Sequence, residues 1–215
     1  MTTSESTSFN MDIDEIITEA YERCGLEVRS GYDLKTARRS MNLMFSEWAN
    51  RGINLWLIEE RSKTLTASLA EYTLGKDLID IMEAAITKSS KDYRIERISR
   101  AAYLSFTDKT STGRPTQFYL QRSVTPKIFF YPTPDSTSTY TFKFHALTRI
   151  QDAGDDYTND PEVPFRFLPC LISGLAYYLA MKFNPDKMLV LKQIYDEEWS
   201  RAAAEDRDSV SLHLV

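Results

Sequence analysis

Ile13, Ile16, Ile17, Ala20 and Cys24 recur at three- and four-residue spacing between polar neighbours, which predicts an amphipathic helix buried along one stripe. Asp12 followed by Glu15 has the spacing of a capping box, and Gly25 supplies the left-handed stop. A second helix is predicted from about Tyr32 to Arg51. Leu34, Ala37, Met41, Met44, Phe45 and Trp48 lie on its buried face, and Gly52 follows its end. Leu43 falls on the opposite side and is left for another element or another subunit.

After Gly52 the period changes. Short β-favouring runs, NLWLIEERSKTL, EYTL, YRIERI, QFYLQR, KIFFYP and STYTFKFHALTRI, are separated by Gly, Pro, Ser and Asp. Tyr140, Phe142, Phe144 and Ala146 alternate with Thr141, Lys143, His145 and Leu147, the pattern of a half-buried strand. The intervening TPDSTS reads as a turn, so the strands on either side of it, around Lys127–Tyr131 and Tyr140–Leu147, are predicted to pair antiparallel.

An acidic linker, DAGDDYTNDPE, precedes a return to helix, and Asp160 before Pro161 has the cap-then-proline order of a helix start. The segment from Phe165 to Phe183 is apolar on nearly every side, so it must be surrounded by protein, with Pro169 kinking or restarting its first turn. Asn184-Pro185 repeats the device. The last helix carries Met188, Leu191, Tyr195, Trp199 and Ala202 on one stripe, with Leu189 and Val190 outside it as candidates for contact between subunits.

This order predicts an α+β fold. A helical bundle made of residues 12–52 and 160–206 encloses a β-rich antiparallel insertion, 53–159. A polar, flexible N-terminal arm (1–11) and a C-terminal tail (207–215) flank it. In the tail, Val210, Leu212 and Leu214 alternate with polar residues, and Val215 follows, as in a strand that adds to a partner's sheet edge.

Composition narrows the function classes. Apolar residues make up 42% of the 215 and charged residues 27%, a globular balance. The net charge of −5 gives no global attraction to nucleic acid or anionic membrane. Residues 88–127 nevertheless hold nine Lys or Arg against three Asp or Glu, net +6, so the remainder carries −11. That region is either a solvated basic face or a docking surface for an acidic partner or passing DNA. The Phe165–Phe183 run, interrupted by Arg166, Pro169, Ser173 and Lys182, falls short of the ~20 apolar residues a bilayer needs. The N-terminus lacks the order of a signal peptide, and two remote cysteines make neither a disulfide framework nor a C-x-x-C site, which fits a reducing, intracellular assembly environment.

No constellation for chemistry is visible. Two histidines, His145 and His213, are too few for a multi-His metal site, and His145 is expected on a solvent face. Asp152, Asp155, Asp156 and Asp160 lack the spacing of an EF-hand loop. Adjacent carboxylates, Glu59 with Glu60 and Glu197 with Glu198, point in different directions. Gly75-Lys76-Asp77 is not a P-loop. Tyr119, Phe129, Tyr131, Tyr140 and Phe142, near Arg122 and Lys127, have the composition of a single-strand stacking platform, although strand aromatics of this kind are more often core. No catalytic residue, metal or cofactor is assigned.

Longer motifs carry a resemblance. The run from Asp33 to Glu59 contains Asn42-Leu43-Met44 before Phe45-Ser46-Glu47-Trp48, then Arg51-Gly52 and Asn54-Leu55-Trp56. Tyr72-Thr73-Leu74, Ile98-Ser99-Arg100 with Tyr103, Gly113-Arg114-Pro115 and Tyr131-Pro132-Thr133-Pro134 continue the pattern, and Pro164, Leu171, Gly174-Leu175-Ala176 and Leu179-Ala180 close it. Over residues 12–205 the chain resembles head-to-tail adaptor proteins of tailed phages, most nearly the adaptor rings of short-tailed ones; the arm and the tail are not covered. Phe165-Arg166-Phe167-Leu168-Pro169 departs from the amphipathic helix start that related sequences show.

The resemblance implies a non-enzymatic virion protein in a ring of twelve subunits beneath the portal. Such a ring joins the portal to the tail tube or nozzle and passes DNA without sequence-specific binding. It also implies assembly in the host cytoplasm, a place in the virion neck and no membrane contact. A tail-completion or stopper protein of a long-tailed phage is the alternative within viruses, and a nucleic-acid-binding module or a hydrolase the alternatives outside them.

Overall fold

The computed structural model describes residues 5–6, 9–52, 55–137, 139–156 and 158–206. Two compact units result: residues 1–55 with 150–215, and residues 56–149. The first is helical and the second β-rich, so the fold is α+β.

In the helical unit, α1 spans Ile13–Cys24 and α2 Gly31–Arg51. Asp12 and Glu15 form the capping box, and Gly25 ends α1 at φ 73°. Ser30 and Asp33 make the same reciprocal cap for α2. The central element is α4, Leu168–Phe183, which packs on α1, on α2 and on α5, Met188–Glu205. Because three helices surround it, its apolar residues need no stripe; Leu171, Leu175, Ala176, Leu179 and Ala180 are all fully buried. Gly174 marks the closest approach. A Cβ there would overlap Met44 Sδ and lie 2.7 Å from Tyr195 Cε2.

Asp160 and Pro161 do not open a helix. Residues 158–164 are irregular, a 3-10 turn covers Phe165–Phe167, and Pro169 sits in the first turn of α4. The backbone of 150–159, read from sequence as the end of the insertion, is bonded to the helices instead. Asn159 O accepts from Ile13 N–H at 3.1 Å, and Ala153 N–H donates to Asn42 Oδ1 at 2.9 Å. The cap that Asp160 was expected to provide is thus replaced by an extended strap held from its neighbours.

The β-rich unit contains β1 (Ile58–Thr64), β2 (Glu71–Thr73), β3 (Leu78–Lys88), β4 (Lys91–Arg94) and β5 (Glu96–Arg97). A short helix α3 (Arg100–Ser105) follows, then β6 (Thr112–Gly113), β7 (Gln117–Gln121), β8 (Lys127–Tyr131), β9 (Thr133–Pro134) and β10 (Thr141–Thr148). One antiparallel sheet has the order β1-β10-β3-β4, a second has β2-β8-β7-β5 with β5 parallel to β7, and β6 pairs β9 parallel. The predicted β8–β10 pairing does not occur. β8 lies between β2 and β7, whereas β10 lies between β1 and β3 in the other sheet. The chain leaves β8 through the β6–β9 bridge, so TPDSTS carries it between sheets instead of reversing it within one.

Aromatic rings fill the space between those sheets. Phe142 of β10 meets Phe118 of β7 at 5.5 Å and Phe130 of β8 at 4.9 Å between centroids, and Phe144 stacks behind it. Tyr140, Phe142 and Phe144 are buried while His145 faces out, as the alternation requires.

Candidate subunit interface

The outward face of α5 follows from its buried stripe. Leu191, Tyr195 and Ala202 point inward, which leaves Leu189 73% and Val190 62% exposed. These two side chains flank the outer surface, one turn from Ile194, which is 39% exposed. Val190, Leu191 and Ile194 form the apolar floor of an open groove of about 500 Å³ that α1 and α4 close through Arg23 and Ser173, with Asp186 and Lys187 at one end. Arg23 is held in place, donating to Ser173 Oγ at 2.8 Å and to Glu19 Oε1 at 2.9 Å. Leu189 does not line this groove. Sequence reasoning missed Ile194, although its place four residues after Val190 was the available signal.

Leu43 occupies a different surface. It is 56% exposed on the outward stripe of α2, whose other members, Tyr32, Lys35, Arg39, Ser46 and Asn50, are also exposed. The structure therefore does not bring Leu43 together with Leu189 and Val190. The candidate tail residues Val210, Leu212, Leu214 and Val215 lie outside the described residues, as does His213.

Arg23 also borders a second groove, of about 380 Å³, lined by Phe9, Met11, Phe165, Leu168, Pro169 and Ile172. Phe9 and Phe165 meet edge to face at 6.3 Å while each stays about two-thirds exposed. The Phe165–Pro169 departure thus forms a wall of this groove. Beside it Arg166 pairs with Asp206, whose carboxylate also accepts from Leu55 N–H at 2.9 Å.

The basic stretch 88–127 is largely satisfied within its own unit. Arg97 and Arg122 share Asp80, Lys127 pairs with Glu71, and Lys88, Lys109 and Arg114 sit over the rings of Tyr140, Tyr103 and Tyr93. The aromatic strip is divided. Tyr140 and Phe142 are core, whereas Tyr119 and Phe129 lie on the other face of their sheet against Tyr103, and Phe106 covers Tyr131. No continuous stacking surface joins the five rings.

Both cysteines are buried. Cys24 Sγ donates to Ala176 O at 3.0 Å, and burial pushes the Cys170 thiol up to about 12, so neither is a ready thiolate. His145 is exposed beside Glu83. Among the described residues no group of His, Cys, Asp and Glu is placed to hold a metal ion, and no helix is long and apolar enough to cross a membrane.

The family model of the SU10 adaptor protein matches residues 11–213. The chain belongs to that family. It is a phage head-to-tail adaptor, a structural class of protein of the virion neck. The match runs further than the motifs do, taking in residues 206–213 after α5. No curated protein matches the adaptor.

Proposed function

We propose that the adaptor works without catalysis, as one subunit of a closed ring that joins the portal to the tail and continues the DNA channel. The family match over residues 11–213 carries this reading. Twelve subunits are expected, because the adaptors this sequence resembles form rings of that number beneath the portal. A short-tailed particle, with a tail tube or nozzle below the ring, is the form the motifs favour.

The distribution of exposed apolar groups supports a ring. Leu43 on α2 and Val190 with Leu189 on α5 give each copy two different patches, and a cyclic head-to-tail contact needs two. Burying each such side chain contributes about 1.5–3 kcal/mol, so a few are enough to matter when repeated around a closed ring. The tail residues Val210, Leu212, Leu214 and Val215 act as a strand that docks on a sheet edge of the portal or tail protein. DNA passes the ring without sequence readout.

A phage carrying a nonsense codon in this gene tests the role. DNA-filled heads without tails should accumulate, and purified adaptor added to them should restore tail attachment and infectivity. Normal tail attachment in its absence would contradict the proposal.

A further inference from the structure

Asp206, the residue that precedes the tail, is tied down beside an apolar groove. Its side chain, only 4% exposed, pairs with Arg166 and accepts from Leu55 N–H at 2.9 Å. The root of the tail is thereby fixed one residue from Phe165, which forms a groove with Phe9, Met11, Leu168, Pro169 and Ile172. Val210, the first apolar position of the tail, is four residues beyond Asp206, and four residues span at most about 14 Å. A partner that takes the tail as a strand is therefore held within that reach of Asp206, alongside Phe165. The groove suits an uncharged apolar occupant. Arg23 at its border is engaged by Glu19 at 2.9 Å and Ser173 at 2.8 Å, and the remaining lining is apolar. Its own chain leaves it open, since Phe9 and Phe165 touch edge to face and yet stay 67% and 69% exposed. Covering these rings returns apolar area that folding leaves in water.

We propose that the portal occupies this groove: the portal subunit whose sheet edge takes the tail also seats an apolar side chain against Phe9 and Phe165. The tail needs a second contact. The entropy lost in ordering its residues as a strand offsets most of what three apolar side chains return, so the strand by itself is a weak hold. The leash from Asp206 to Val210 joins the two contacts, and engagement of one raises the effective concentration of the other. The portal is the occupant because the ring forms beneath it, so its contact must hold a single subunit before a neighbouring copy is there to help. The inference rests on the ring and tail readings above and adds the surface of the helical unit that meets the portal.

Full-length adaptor carrying p-benzoylphenylalanine in place of Phe165, mixed with purified portal rings and irradiated, tests the docking. Residue 165 should become linked to the portal. Phe9→Glu and Phe165→Glu, both at exposed positions, should keep the parent melting temperature and weaken portal binding at least tenfold each. Twelve Gly and Ser residues inserted after Asp206 should weaken it by roughly eightfold, the −3/2 power of a leash lengthened from four residues to sixteen. Links from residue 165 to a second adaptor or to the adaptor's own tail, or a portal complex with no link at 165, overturn the proposal. Parent-like binding by both glutamate variants, with weaker binding after deletion of residues 209–215, overturns it too and leaves the tail reading standing. An adaptor that never binds the portal overturns both.

Discussion

Trp48 Nε1 donates to Tyr195 Oη at 2.8 Å, joining α2 to α5 in the interior of the helical unit. Tyr195 Oη in turn donates to Glu47 Oε2 at 2.7 Å, and the Arg51 guanidinium lies 4.6 Å from the centre of its ring. Burial, followed by Glu47, pushes the Tyr195 hydroxyl well above its ordinary pKa, so it remains a donor across the working pH range. Tyr195→Phe leaves a buried indole N–H and a half-buried carboxylate without this partner and should cost about 1–3 kcal/mol. Trp48→Ala should cost about 3–5 kcal/mol, because Phe45, Phe167 and Trp199 all pack on that ring. Trp199→Ala removes one of the same contacts and should also lower the melting temperature. Urea denaturation of the variants checks the order; parent-like stability in both tryptophan variants would show that this cluster does not hold the helices together.

Gly174→Ala probes the same place from α4. The added methyl meets the buried side chains of Met44 and Tyr195, which must shift to admit it, so about 1–3 kcal/mol of stability should be lost. An unchanged denaturation midpoint would mean that α4 and α5 are free to part.

Much of this architecture was legible in the chain because local chemistry and burial agree. Asp12 with Glu15, Gly25, and the stripes of α1, α2 and α5 each express a short-range rule that the packing then reinforces. β3 was missed. Its Leu78–Lys88 run mixes Met82, Glu83, Ala84 and Ala85, and register shifts opposite Phe144–Ala146 and Leu147–Thr148 break the period-two alternation. α3 has six residues and none buried, too short to show a period. The β8–β10 error has another origin. Turn residues say that the chain bends, but only the tertiary course through β9 says that it changes sheets. Of the candidate interface, exposure off the helical stripes was readable at Leu43, Leu189 and Val190. Their separation onto two surfaces was not, since it depends on how α2 and α5 flank α4.

Alkaline pH should weaken the fold. An unfolded thiol loses its proton near ~8.5 and an unfolded tyrosine near ~10, whereas burial holds Cys170 up to about 12, and burial followed by Asp33 holds Tyr21 at about 12. The unfolded chain thus releases protons first. Stability is fully present below about pH 8.5 and is lost as pH rises toward about 12. Melting temperatures should hold steady from pH 7 to 8, fall above about 9, and fall less steeply in Cys170→Ala; a flat profile up to pH 11 would contradict the burial of these groups.

Deleting residues 209–215 separates folding from docking. The deletion keeps Asp206 and its contacts with Arg166 and Leu55, so the melting temperature of the monomer should not change. Binding to portal or tail protein should weaken, because the alternating Val210, Leu212 and Leu214 are gone. Equal binding by truncated and full-length chains would remove the tail from the account.

Native mass spectrometry of the adaptor mixed with purified portal rings tests the central claim most directly. The account predicts a complex in which every portal ring carries one closed ring of adaptor, twelve copies by the family expectation, even if the adaptor alone is monomeric. A chain that stays monomeric at high concentration and never associates with the portal would contradict it.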